Sequence, residues 1–128
     1  MNLLLDTHVL IWLVEGSDNL SQCAKQAIED EQNSLSLSIA SLWEMTIKMS
    51  LGKLQLGIPL DRIVESYLLP TSIEILPINL NHLLVLRDLP LHHRDPFDRI
   101  LISQAQAEEL TLVSGDRLFG DYLVQILW

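Results

Sequence analysis

Four times along this chain a short apolar or alternating run breaks off at a polar residue, and a helical or turn pattern takes over within a few positions. Leu3 to Leu5 reads as a buried strand that ends at Asp6, with a helix from Thr7 to Glu15 directly behind it. "NSLSLS" alternates with period two, which is a strand signature, and "IASLWEMTIKMSLG" follows with helical spacing. Ser38 is the expected N-cap of that helix and Gly52 its C-terminal stop. "IEILPI" is a third short strand, followed by the helix "NLNHLLVLRDLP", which Pro90 ends. "LTLVS" is a fourth, followed by "GDRLFGDY" as a turn or short helix, and "LVQILW" is a last strand. Further helices are expected in "LSQCAKQAIEDEQ", in "IPLDRIVESYLLP" between Pro59 and Pro70, and from about Asp95 to Glu109. Strands alternating with helices call for a parallel sheet covered on both faces, a three-layer α/β/α sandwich. At 128 residues, 1–128 is one domain.

In such sheets ligands sit outside the carboxyl ends of the strands, so polar residues just after strands are the ones to weigh. Asp6 ends the first strand, although an Asp there is equally suited to cap the next helix. Glu44 lies in "SLWEMTIK", at the border of a buried stripe expected from Ile39, Leu42, Trp43, Thr46 and Met49. Its ordinary reading is a solvated glutamate paired with Lys48 one turn on. In "HHRDPFDRILISQAQA", Asp95 and Pro96 have the chemistry of a helix start, and Asp98 could be only its first-turn acid. Asp116 follows "LTLVS" through Ser114 and Gly115, where Ser-Gly-Asp is also turn chemistry.

Taken together these acids do something the separate readings do not predict. Asp6, Asp98 and Asp116 fall at strand ends or adjoining helix starts, and Glu44 lies one turn into a helix after a strand. Carboxylates converging on one edge raise one another's pKa, and persist as anions when a hard divalent cation neutralises them. An all-oxygen site suits Mg²⁺ or Mn²⁺. Three of the five arginines, Arg94, Arg99 and Arg117, each adjoin a candidate acid. Carboxylates for metal with arginines for phosphate is the composition of a phosphodiester-cleaving site. His8, His82, His92 and His93 lack metal-binding spacing, and His92 and His93 read as surface or supporting residues.

Composition narrows the class. A net charge of −9 argues against a passive nucleic-acid binder, which would show a basic face. It does not exclude an enzyme whose acids hold cations. The hydrophobic fraction is 48% and the mean hydropathy +0.26, more apolar than one small core needs, so a partner is expected to cover the excess. Leu51 to Leu69 is the leading candidate surface. The single cysteine, Cys23, cannot form an internal disulfide. With no signal peptide and no apolar run long enough to span a bilayer, the expectation is a cytoplasmic chain with no membrane association.

With these residues assembled, the chain resembles a PIN domain, in particular the VapC-type toxin ribonucleases of toxin–antitoxin pairs. The resemblance rests on four blocks in order, "LLLDTHVLIWL", "SIASLWEMTIKMSLGKLQL", "HHRDPFDRILISQAQ" and "LVSGDRLFGDY", with the terminal "ILW". It implies the parallel-sheet fold already read and an acidic quartet of Asp6, Glu44, Asp98 and Asp116 that holds metal and carries catalysis. Thr7 and Ser114 match small hydroxyl positions beside the first and last acids, and Asp95 is a cap or supporting residue. Lys48 and Arg99 are candidates for RNA contact. The implied activity is a Mg²⁺- or Mn²⁺-dependent endoribonuclease, and the implied partners are an RNA substrate, a cognate antitoxin and a second copy of the chain. The alternative is a catalytically inactive PIN-like module that binds RNA or protein. A phospho-acceptor signalling domain would need an acceptor Asp after the middle strand and a lysine after the last one. Here "IEILPI" runs into Asn79, and no lysine follows "LVQILW".

Overall fold

The computed structural model describes residues 1–128. The chain runs β1 (Asn2–Leu5), α1 (Thr7–Glu15), α2 (Gln22–Glu29), β2 (Ser34–Ser38), α3 (Ile39–Ser50) and α4 (Leu60–Ile63). A wider helical turn over Val64–Leu68 continues α4. Next come β3 (Glu74–Leu76), α5 (Leu80–Arg87), α6 (Pro96–Ala107), β4 (Thr111–Val113), a 3-10 turn over Arg117–Asp121, and β5 (Ile126–Leu127). The five strands form one sheet in the order β3-β2-β1-β4-β5, and every pairing is parallel. The expected α/β/α sandwich with a central parallel sheet is present.

The pleat of β1 decides the layers. Side chains alternate across a strand, so Leu3 and Leu5 face one side and Leu4 the other. Leu3 and Leu5 join Leu35, Leu37 and Val113 in a core shared with α1, α2, α3 and α4. Leu4 and Leu112 join Leu101, Ile102 and Ala105 of α6, together with Leu89, Phe119 and Tyr122. Leu3, Leu4 and Leu5 are wholly buried, and such burial stabilises by about 1.5–3 kcal/mol per side chain.

The chain leaves β1 towards β2 and β3, then returns to lay β4 on the other flank of β1. The order therefore reverses at the β1–β4 junction, the crevice where open parallel sheets bind ligands. Asp6 directly follows β1, and Ser114 to Asp116 directly follow β4.

Two expectations about packing are corrected. The buried face of α3 consists of Ala40, Ser41, Leu42, Glu44 and Met45, while Ile39 and Trp43 are exposed. Small residues at positions 40 and 41 let α3 come close to the sheet end, and that turns Trp43 outward to meet Phe97 edge-on at 5.0 Å between ring centres. Phe97 accordingly packs on α3, and Ile100, Leu101 and Gln104 are among the buried residues of α6. The apolar run from Leu51 to Leu69 is mostly consumed by the larger core. Ile63 and Leu68 are buried, Leu54, Leu56, Ile58, Leu60 and Val64 pack against that core, and Leu51 and Leu69 remain exposed.

Candidate functional site

Asp6 has extended backbone angles and starts α1, yet its carboxylate makes no capping hydrogen bond. It accepts instead from the buried Ser114 hydroxyl at 2.8 Å, across the β1–β4 junction. Helix punctuation therefore does not account for Asp6. Ser114 also accepts from the Asp116 backbone N–H at 3.1 Å, so one hydroxyl ties the first acid to the loop that carries the last. Thr7, buried beside Asp6, donates to Ser41 of α3 at 2.8 Å and fastens α3 against the end of β1.

Glu44 is only 5% exposed and pairs with Lys48 at 2.8 Å. The i+4 partner expected of a solvated glutamate is present, but the glutamate itself is buried. That hydrogen bond raises the Lys48 ammonium above its ordinary range, with the charges of Asp95 and Asp98 adding to the effect.

Asp95 caps α6, accepting from the N–H groups of Phe97 at 2.8 Å and Asp98 at 3.3 Å. Asp98, in the first turn, is left free to point elsewhere, and its carboxyl is pushed up to about 7. Burial is the largest cause, followed by the charges of Asp95 and Asp6, with Glu44 adding. Asp6 is raised as well, chiefly by burial, against the Ser114 hydrogen bond and the charge of His8, with Glu44 again adding. Asp6, Glu44 and Asp98 thus act on one another as a crowded set of like charges.

Asp116 caps the 3-10 turn through Oδ1, which accepts from Leu118 at 3.0 Å. Its Oδ2 meets His93 Nε2 at 3.1 Å. Ligating atoms of His93, Asp98 and Asp116 all lie within 4.8 Å of one another. His93 is buried, whereas His92 is exposed, and nothing in the "HH" pair distinguishes them. His93 reads in the sequence only as a surface or supporting residue, and its partner Tyr122 is the residue that sequence reasoning passed over. A cavity of about 300 Å³ borders Asp116, lined by Ser114, Gly115, Arg117, Gly120 and Trp128. A Cβ on Gly115 would come within 2.9 Å of Trp128, so this turn needs glycine for the tryptophan to pack on it. The largest groove, about 550 Å³ between Val64 and Ile75, is lined by none of the four acids.

Of the basic residues, Arg99 donates to the carbonyls of Pro90 and Leu89, bracing the loop before α6. Arg94 and Arg117 are exposed at the site's rim.

The sequence model of the PIN domain family matches residues 3–122. The chain belongs to the PIN domain family. A comparison with curated proteins finds no match. Among solved structures, this PIN domain resembles the VapBC2 complex of Rickettsia felis bound to a promoter DNA fragment, with TM-score 0.75 and 16% identity, covering 98% of this chain and 97% of that one. It also resembles VapBC-1 of nontypeable Haemophilus influenzae, with TM-score 0.63 and 17% identity over 98% of this chain and 96% of that one. A toxin–antitoxin complex from Klebsiella pneumoniae aligns with TM-score 0.64 and 22% identity over 96% and 93% of the two chains. At these identities the likeness is one of fold. No helix of this PIN domain is long and apolar enough to cross a membrane.

Proposed function

We propose that the chain is a Mg²⁺- or Mn²⁺-dependent endoribonuclease acting as the toxin of a toxin–antitoxin pair. The observation that carries this reading is the convergence of Asp6, Glu44, Asp98 and Asp116 at the carboxyl edge of β1 and β4 in a PIN fold. Asp6 and Asp98 are both raised, chiefly by burial, with Glu44 adding to each and Asp6 adding to Asp98. Such crowding of carboxylates fits a hard divalent cation, which prefers oxygen donors and relieves the repulsion. Asp98 and Asp116 would hold it most directly, with Asp6 and Glu44 completing the anionic lining. When bound, the cation supplies charge neutralisation and water activation for in-line attack on an RNA phosphodiester.

The chain's own groups do the rest. Ser114 holds Asp6, Lys48 holds Glu44, and the Asp95 cap frees the Asp98 carboxylate from duty at the helix start. Arg94 and Arg117 lie exposed where phosphates of a single strand would approach, while Lys48 and Arg99 brace the rim from inside. The antitoxin belongs to the same reading, because the neighbours in fold are toxin–antitoxin complexes and a −9 chain with an acidic cleft attracts a basic peptide. A homodimer and a cytoplasmic site of action complete it.

The test is RNA cleavage with Mg²⁺, Mn²⁺ and EDTA, comparing the wild type with Asp6→Asn, Glu44→Gln, Asp98→Asn and Asp116→Asn. We expect metal-dependent cleavage that each variant loses by about a hundredfold or more while keeping its circular dichroism spectrum. Full activity in the Asp6 and Asp98 variants would remove the quartet. A wild type that binds RNA and cleaves nothing would leave the inactive PIN-like binding module.

A further inference from the structure

The closeness of His93 to Asp98 and Asp116 suggests at first a third metal ligand. The hydrogen bonds around its ring say otherwise. A phenol oxygen offers two lone pairs and one proton. The Tyr122 oxygen accepts the backbone N–H of His92 at 3.1 Å and that of His93 at 2.8 Å, which fills both lone pairs. Its proton is what remains for His93 Nδ1, at 3.2 Å. Nδ1 is therefore the acceptor, which leaves the ring N–H on Nε2, 3.1 Å from Asp116 Oδ2. A metal bond through Nε2 would require the proton on Nδ1, where it would face an oxygen with no lone pair to spare.

The ring cannot escape this assignment by turning over. Its plane lies near-parallel to the rings of Phe119, at 4.8 Å and 25°, and Tyr122, at 5.5 Å and 30°, and it is 7% exposed. A flip would replace both nitrogens with carbons at their partners and lose both hydrogen bonds. Asp116 is then held at each oxygen, by Leu118 N–H on Oδ1 and His93 on Oδ2, and each oxygen keeps a lone pair for a cation.

We propose that His93 is a positioning residue, which aims Asp116 through an Nε2–H fixed by Tyr122 and does not itself ligate the metal. The proposal rests on the metal-site reading above. Outer hydrogen-bond partners of ligating carboxylates commonly matter about tenfold to a hundredfold for metal affinity.

The experiment reads the tautomer directly. Long-range ¹H–¹⁵N correlation of the histidine rings in the full chain is recorded without metal and with saturating Mg²⁺. We expect the Nε2–H form of His93 in both. An Nδ1–H form without metal, or loss of the Nε2 proton when Mg²⁺ is added, overturns the proposal. Calorimetric Mg²⁺ titration supplies the second arm. His93→Ala is expected to weaken binding by about tenfold to a hundredfold, and His93→Gln, whose amide N–H reaches the Nε2 position, to stay within about threefold of wild type. Equal loss in both folded variants overturns it. The metal-free tautomer needs neither cation nor RNA, so its failure is separable from failure of the nuclease reading.

Discussion

Asp98 has an ordinary carboxyl pKa of 3.8 when unfolded and about 7 in the folded chain. Between those values the folded chain holds a proton that the unfolded chain has released. Stability of the metal-free protein therefore falls as pH rises from about 4 to about 7 and levels off above that. Fully converted, the shift would correspond to about 4 kcal/mol, and solvent screening of this half-open carboxylate reduces it to on the order of 1–2 kcal/mol. Asp98→Asn is accordingly expected to stabilise the metal-free chain by that amount at pH 8 and by nothing at pH 4. Urea denaturation at both pH values checks it, and identical midpoints at pH 8 would mean that Asp98 is not strained by its neighbours. Mg²⁺ should reverse the order at pH 8, because it stabilises the form that binds it.

At the scale of the element, the start of α6 divides two neighbouring acids by role. Asp95 spends its carboxylate on two N–H groups of the first turn, and Pro96 occupies the position whose N–H would have no partner. Asp95→Asn should cost a few tenths of a kcal/mol and Asp95→Ala about 1 kcal/mol. Cleavage should survive Asp95→Asn within about threefold, whereas Asp98→Asn abolishes it. Thermal melts and cleavage rates on the same samples give both readings. Equal inactivation by the two substitutions would move Asp95 into the metal-holding set. The far end of the same helix is tied differently. His82, wholly buried at the start of α5, accepts from Asn79 N–H through Nδ1 and meets Glu108 through Nε2 at 2.8 Å, joining α5 to the end of α6.

For the whole molecule, the apolar excess is resolved in an unexpected place. Ile39, Trp43 and Ile47 follow one another at one-turn spacing on α3 and form an exposed stripe, covered in part only where Phe97 meets Trp43. A second copy laid along this stripe is the contact we expect for the dimer. Sedimentation at micromolar concentration should show a dimer for the wild type and a monomer for Trp43→Glu, which buries no charge in the monomer because Trp43 is 59% exposed. A wild type that stays monomeric removes the homodimer and leaves the nuclease reading standing. A Trp43→Glu variant that still dimerises places the interface elsewhere, with the exposed leucines of α5, Leu80, Leu83 and Leu84, next to be tested.

Strand-then-helix order, the wholly apolar Leu3 to Leu5 run and the carboxylate that ends it were all legible in the sequence, because burial on both faces and the periods 2 and 3.6 are local properties of the chain. The same holds for the Asp95 cap. What the sequence could not contain is which polar groups meet after folding. The side of α3 that turns inward depends on how closely Ala40 and Ser41 let it approach, so the periodicity that put Trp43 in the core failed there. The Leu51 to Leu69 run looked like spare apolar surface until the core it covers was in place. His92 and His93 are identical as letters. One is buried against Phe119 and Tyr122 and the other is exposed, although the oxygen of Tyr122, some thirty residues away, accepts from the backbone N–H groups of both. Such meetings are set by tertiary packing, and they decide which carboxylates share a site and which side chain holds them there.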